Sequence, residues 1–253
     1  MTGQLSGKIV LITGAGGTLG NSHACLMAGR GARVIVQDIR ADAAKATVDA
    51  ISQSGGEATA LVCDVADIPT LTELIQAEEA RLGRIDVLVN NAGISGMTAA
   101  FEDIDEANFD RMFDIHFKGS FYAARAVIPG MKARQSGKII NISSSRAGYG
   151  AIGGSHYDGA KAALIGLTRA WANEFGGFGI TVNAVAPGLV PSDATRRRLG
   201  EAVLAKRAAA TIAGRLIQPV DVSALVAFLA SNDADIINGQ VYSMKQHDKP
   251  HAG

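Results

Sequence analysis

Glycine placement near the start of the chain is the strongest constraint on its fold. The apolar run 8–12 (KIVLI) ends in Thr13-Gly14-Ala15-Gly16-Gly17-Thr18-Leu19-Gly20, and a helical stretch follows at about 19–30. Glycines at a strand-to-helix turn let backbone N–H groups approach a ligand, and the incoming helix offers its positive end. That geometry cradles a pyrophosphate, and it needs a strand, a turn and a helix in that order. Asp38 follows the next apolar run, 33–37, and stands 18 residues after Gly20. A carboxylate there accepts hydrogen bonds from adenosine ribose hydroxyls and repels a 2′-phosphate. Gly14, Gly17, Thr18, Leu19, Gly20, Asp38 and Ile39 are therefore expected to hold NAD in preference to NADP.

The rest of the chain repeats this alternation. Short apolar runs at 8–12, 33–37, 60–63, 85–90, 138–142, 180–185 and 240–243 are separated by helical stretches at about 19–30, 41–54, 67–82, 105–135, 156–176 and 219–231. Strands that are apolar throughout and separated by helices pair in parallel, with both faces covered. Right-handed crossovers then give a doubly wound, seven-stranded parallel sheet flanked by helices, a Rossmann-type α/β fold. No internal repeat or low-complexity linker interrupts the 253 residues, so a single domain, 1–253, is expected. Residues 189–214 break the rhythm and include Thr195-Arg196-Arg197-Arg198. An insertion after a strand's carboxyl end is where a substrate lid sits.

Composition excludes several classes. With 24 basic and 24 acidic side chains the net charge is zero, which gives no support for nucleic-acid binding. No apolar run approaches the roughly 18 residues of a membrane span. The N-terminal MTGQLSGKIVLITG lacks the charged start, apolar core and cleavage site of a signal peptide. Cys25 and Cys63 sit in apolar contexts and read as buried hydrophobes in a cytoplasmic protein. No metal-ligand spacing is present. His247 and His251 in the C-terminal tail resemble one only superficially.

Further segments carry a family likeness. They are Cys63-Asp64-Val65, Asn90-Asn91-Ala92-Gly93, Ser143-Ser144-Ser145, Tyr157-Asp158-Gly159-Ala160-Lys161 and Asn183-Ala184-Val185-Ala186-Pro187-Gly188. Together with the glycine turn and Asp38, in this order, they resemble the classical short-chain dehydrogenase/reductase family over nearly the whole length. The resemblance implies that Asp64 and Val65 border the adenine and that Asn91, Ala92 and Gly93 line the cofactor. It places Pro187, Gly188, Val190 and Ser192 at the nicotinamide end, with the Ser192 hydroxyl facing the carboxamide or diphosphate. It also implies a homotetramer built through 105–135, 156–176 and 219–243.

The implied chemistry is hydride transfer between NAD(H) and a secondary alcohol or ketone, in which a proton must also move. A tyrosine with a pKa near 10 is a poor base at neutral pH. Lys161 follows Tyr157 by four residues on a helix, so the two share a face, and a nearby cation favours the phenolate. Lys161 would also hold the nicotinamide ribose. Ser144, 13 residues before Tyr157 at the family's spacing, would hydrogen-bond the substrate oxygen and stabilise charge developing there. Ser143 reads better as the polar end of a strand.

Three features depart from the family pattern, one of them the C-terminus, where Val241-Tyr242-Ser243-Met244 stands in place of the family's frequent Asp-Gly-Gly stretch and leads into a tail expected either to cover a neighbour's active site or to lie on the surface. His116 stands where the family usually has an asparagine that helps hold a proton-relaying water through its carbonyl. The relay is expected to survive, with the imidazole joining it or packing against it. Thr18 replaces the usual Gly or Ala, so ordinary helical geometry is expected there. The substrate pocket is expected from Ser144, Ser145, Arg146, Tyr149, Ile94, Ser95 and Leu189. These suit a modest cyclic or aryl molecule, with Arg146 able to meet a carboxylate. Two alternatives remain: an NADPH-dependent 3-oxoacyl reductase, and a catalytically inactive nicotinamide-binding sensor or scaffold.

Overall fold

The computed structural model describes residues 3–95 and 98–247. Seven strands alternate with helices: β1 (Ile9–Ile12), α1 (Thr18–Gly29), β2 (Arg33–Asp38), α2 (Ala41–Gln53), β3 (Glu57–Val62), α3 (Ile68–Leu82) and β4 (Val87–Asn90) form the first half. The second half comprises α4 (Glu106–Phe113), α5 (Gly119–Arg134), β5 (Gly137–Ile142), α6 (Arg146–Tyr149), α7 (Ser155–Phe175), β6 (Ile180–Pro187), α8 (Asp193–Leu199), α9 (Glu201–Ala210), α10 (Pro219–Ala230) and β7 (Val241–Met244). The sheet order is β3-β2-β1-β4-β5-β6-β7, and every pair is parallel. Chain order reverses between β1 and β4, which opens a crevice at the strands' carboxyl ends.

Side-chain alternation explains the two covered faces. Val10 and Ile12 of β1 pack with Val34 and Val36 against α1 and α10, through Ala24, Met27, Val222 and Val226. Ile9 and Leu11 point the other way, with Ile35 and Leu88, onto Leu71 of α3, Val127 of α5 and Trp171 of α7. β1, β4, β5 and β6 are buried at every residue. The edge strand β3 is largely exposed and starts at Glu57, earlier than the apolar run from 60 suggests. An edge strand needs no apolar side chains on its open side, so Glu57 and Thr59 concealed its start.

The stretch expected as one helix over 105–135 is two. A π-helical turn, Asp114–Lys118, separates α4 from α5, and the Gly119 N–H bonds the Asp114 carbonyl. Asp105 caps α4 by accepting from the Asn108 N–H at 2.7 Å. A buried chain fixes β4, β5 and α7 to one another: Asn90 Nδ2 donates to Asn141 Oδ1 at 2.9 Å, and Asn141 Nδ2 donates to Thr168 Oγ1 at 2.9 Å. The expected lid over 189–214 contains α8 and α9, both outside the sheet.

Candidate active site

The glycine turn is built from close approaches. Gly14 has φ +64°, and a Cβ there would lie 2.8 Å from Ala92 Cα. A Cβ on Gly20 would lie 2.2 Å from the Gly14 carbonyl oxygen. Polar side chains brace the turn from beneath. Thr13 Oγ1 accepts from the N–H groups of Asn91 and Ala92, both at 3.0 Å, and Asn91 Nδ2 donates to the Thr13 carbonyl at 2.8 Å. Buried Gln37 accepts from Gly14 N–H at 3.1 Å and donates to the Cys63 carbonyl at 2.7 Å. Asp38 is buried and accepts from the N–H of Gly16 at 2.9 Å and of Arg40 at 3.0 Å.

This cradle fits a dinucleotide. Gly17 is the N-cap of α1 in extended geometry and provides no side-chain cap. The first turn of α1, Thr18 to Gly20, therefore faces the crevice with its positive end open to an anion. Thr18 is the first helical residue, in the ordinary geometry expected for it.

A cleft of about 900 Å³ runs from this turn past β4, β5 and β6 to the lid. Each residue named above for catalysis, cofactor or substrate contributes to its wall, from Gly14, Gly17, Leu19, Gly20, Asp38, Ile39, Asp64 and Val65 at one end to Ile94, Ser95, Tyr149 and Leu189 at the other. The start of α7 brings Tyr157 and Lys161 into the middle, on the same wall as Ser144, whose hydroxyl accepts from the Arg146 N–H at 3.3 Å. Lys161 is buried, and its Nζ donates to the Ile142 carbonyl at 2.7 Å. Ser143 donates to the Lys161 carbonyl at 2.7 Å, which makes it a brace for α7.

Three side chains make further contacts. Arg146 lines the cleft with its guanidinium already engaged by a carboxylate of the protein. It pairs with Asp158, Nε to Oδ1 at 2.7 Å, and its guanidinium lies 5.2 Å from the centre of the Tyr157 ring. Asp158 also accepts from the Ala151 N–H at 2.8 Å, so the pair ties the loop after Ser144 to α7. The Ser192 hydroxyl caps α8, accepting from the Thr195 N–H at 3.1 Å, and lines the cleft. His116 projects from the π turn with its ring edge-on to Tyr157, centroids 5.6 Å apart. Its Nε2 lies 2.9 Å from the Ile94 carbonyl oxygen, its own carbonyl accepts from the Ser120 hydroxyl at 2.7 Å, and its buried Nδ1 has no protein partner.

Electrostatics adds a residue to those around the phenol. Burial pushes the Tyr157 phenol above its ordinary pKa, while the neighbouring Ser144 hydroxyl and the charge of Arg146 pull it down. Arg146 is therefore a cation acting on the phenol. Burial of Lys161 lowers its own pKa to about 7, so its ammonium is only marginally held. Burial and the neighbouring Lys161 hold the His116 imidazole well below its usual value, so it is neutral at physiological pH and does not titrate there.

Several wall residues were not anticipated. Arg111 reaches the adenine end and donates to Asp64 Oδ2 at 2.8 Å. Gln37 carried a signal, a polar side chain inside an apolar strand. Arg197 and Arg207 of the lid also face the cleft. Among the described residues no group of three or more His, Cys, Asp or Glu could hold a metal, and no helix is long and apolar enough to cross a membrane. Both cysteines are free thiols. Tail residues from 248 onward, His251 included, lie outside the described residues.

Comparison with known proteins agrees with this geometry. Residues 14–245 match the family described as enoyl-(acyl carrier protein) reductase. The chain is 35% identical to the 3-oxoacyl-[acyl-carrier-protein] reductase FabG of Thermotoga maritima over 238 residues, covering 94% of this chain and 96% of that protein. The chain is a classical short-chain dehydrogenase/reductase. Cyclopentanol dehydrogenase of Comamonas testosteroni is a similar relative, 35% identical over 239 residues and covering 94% of this chain and 95% of that one. A solved structure of 7α-hydroxysteroid dehydrogenase complexed with NADH and 7-oxo glycochenodeoxycholic acid superposes with a TM-score of 0.90 at 36% identity, covering 95% of this chain and 93% of that one. Like its relatives, this short-chain dehydrogenase/reductase is an oxidoreductase that binds a nicotinamide dinucleotide.

Proposed function

We propose that the enzyme is an NAD(H)-dependent alcohol dehydrogenase and ketone reductase for small cyclic or aryl secondary alcohols and ketones. The observation that carries this reading is the meeting of Ser144, Tyr157 and Lys161 on one cleft wall, which continues to the glycine turn. When bound, the nicotinamide supplies or accepts the hydride. Ser144 orients the substrate oxygen and donates to it as negative charge develops. Tyr157 gives that oxygen its proton in reduction and takes it in oxidation. Lys161 holds the nicotinamide ribose, whose hydroxyls stabilise its ammonium. His116, neutral and packed beside Tyr157, positions the phenol and supports the relay through its carbonyl.

NAD is favoured over NADP by buried Asp38 at the end of β2, where a 2′-phosphate would meet like charge. The second reading, an NADPH-dependent 3-oxoacyl reductase, is favoured by the likeness to the Thermotoga protein. Turnover of a cyclic ketone and a 3-oxoacyl thioester with NADH and with NADPH separates the two. Tyr157→Phe should lower kcat by roughly 10²-fold or more while dinucleotide binding persists. Retained turnover would overturn the assignment. A cytoplasmic homotetramer completes the reading, supported by Phe109 and Phe121, exposed on α4 and α5. Light scattering that returns a monomer mass would refute the tetramer.

A further inference from the structure

A second cavity, about 510 Å³, adjoins the catalytic cleft. The two share Ser145, Tyr149, Gly188, Leu189 and Arg207 as walls, so a molecule whose oxygen meets Ser144 can extend into the second. The second cavity is apolar at Val203, Ala210 and Leu216 and cationic at Lys206, Arg207 and Lys245, with no carboxylate on its wall.

Ion pairing separates this face of the lid from the other. Arg196, which is not on either wall, pairs with Glu201 at 2.6 Å, and Arg215 pairs with Asp221 at 2.5 Å. Lys206 and Arg207 have no acidic partner among the described residues, and Lys245 rests over the Tyr149 ring at 4.5 Å. Three cations beside one cavity repel one another unless an anion joins them. We propose that the second cavity is an anion subsite, and that the substrate is a ketone or secondary alcohol with an apolar body and a carboxylate or phosphate at its far end. The inference rests on the dehydrogenase reading of the adjoining cleft. It moves the anion contact from Arg146, which Asp158 occupies, to the lid.

The test compares 4-acetylphenylacetate, its methyl ester and 4-acetylphenyl phosphate as substrates at low ionic strength. One anionic compound should exceed the ester in kcat/KM by about tenfold or more, and the advantage should shrink with salt. Preference for the phosphate identifies a phosphorylated or nucleotide-bearing tail. Preference for the acid identifies a free carboxylate. The double variant K206Q/R207Q should bring the anion-to-ester ratio close to one, mainly through KM, whereas R196Q should leave that ratio as in the wild type. Equal rates for all three compounds, or the same anion-to-ester ratio in wild type and double variant, would overturn the subsite. Absence of turnover with every compound would refute the dehydrogenase reading instead. Calorimetric titration of 4-acetylphenylacetate into wild type and double variant then decides the subsite alone, since equal affinity for both proteins would refute it.

Discussion

The two ends of the cleft are built by opposite means. At the dinucleotide end the chain itself is the surface. Backbone approaches of under 3 Å to a virtual Cβ at Gly14 and Gly20 and a buried brace from Thr13, Gln37 and Asn91 leave no freedom. At the substrate end the wall is side chains on α8 and α9, exposed at Arg197, Lys206 and Arg207. The difference separates duties. An invariant ligand fragment is met by rigid backbone, and a variable one by side chains on an insertion that no strand depends on.

That contrast can be broken, and the largest effect is expected at the dinucleotide end. Gly20→Val places branched carbon into the Gly14 carbonyl and should cost about 3 kcal/mol or more in stability and lower dinucleotide affinity at least tenfold. Thermal unfolding and a fluorescence titration measure both, and near-wild-type values would show that the turn yields.

Acid reaches the same end from beneath. His23 on α1 is buried against Ser223 of α10, Nδ1 to Oγ 2.7 Å, and burial lowers its pKa from 6.5 to about 3. Between those values the unfolded chain binds the proton and the folded one does not. Stability therefore falls as pH drops below 6.5, by roughly 2–3 kcal/mol at pH 4.5 from this group alone. Denaturant titrations across that range should show the loss, and His23→Gln should reduce the slope. An unchanged slope would dismiss His23 as its source.

A smaller effect is expected in the middle of the cleft. Arg146→Met removes the cation over Tyr157, so the phenol pKa rises. The rise of kcat/KM with pH in alcohol oxidation should then move upward by about one pH unit, worth about 1.4 kcal/mol. A profile that loses height without moving would make Arg146 only a brace. The smallest effect belongs to the lid. Glu201→Gln breaks an exposed pair with Arg196 and should change stability by less than about 1 kcal/mol. A larger loss would mean that the lid is as integral as the turn.

Legibility from sequence follows the same division. The alternation of strands and helices, the parallel sheet and the turn were readable because burial on both faces makes strands apolar throughout and close approach imposes glycine. The start of β3 was not, because its edge side carries Glu57 and Thr59 without penalty. The π turn has no composition of its own, so 105–135 read as one helix. Arg146 was readable as a loop charge near the pocket, but its partner Asp158 lies on another element, and no spacing rule joins them. Lys206, Arg207 and Lys245 carry no sequence signal, because only the fold sets them around one cavity.

The π turn at Asp114–Lys118 has a consequence for the enzyme's tolerance of change. One surplus residue in a helical turn rotates everything beyond it by about 100°. α4 and α5 are therefore out of phase, and the π turn sets where the buried faces of α4 (Met112) and α5 (Ala123) point relative to each other. Excising a residue from this turn would straighten the helix and swing either Met112 or the imidazole of His116 out of place. The segment's length is thus held more strictly than the identity of its members.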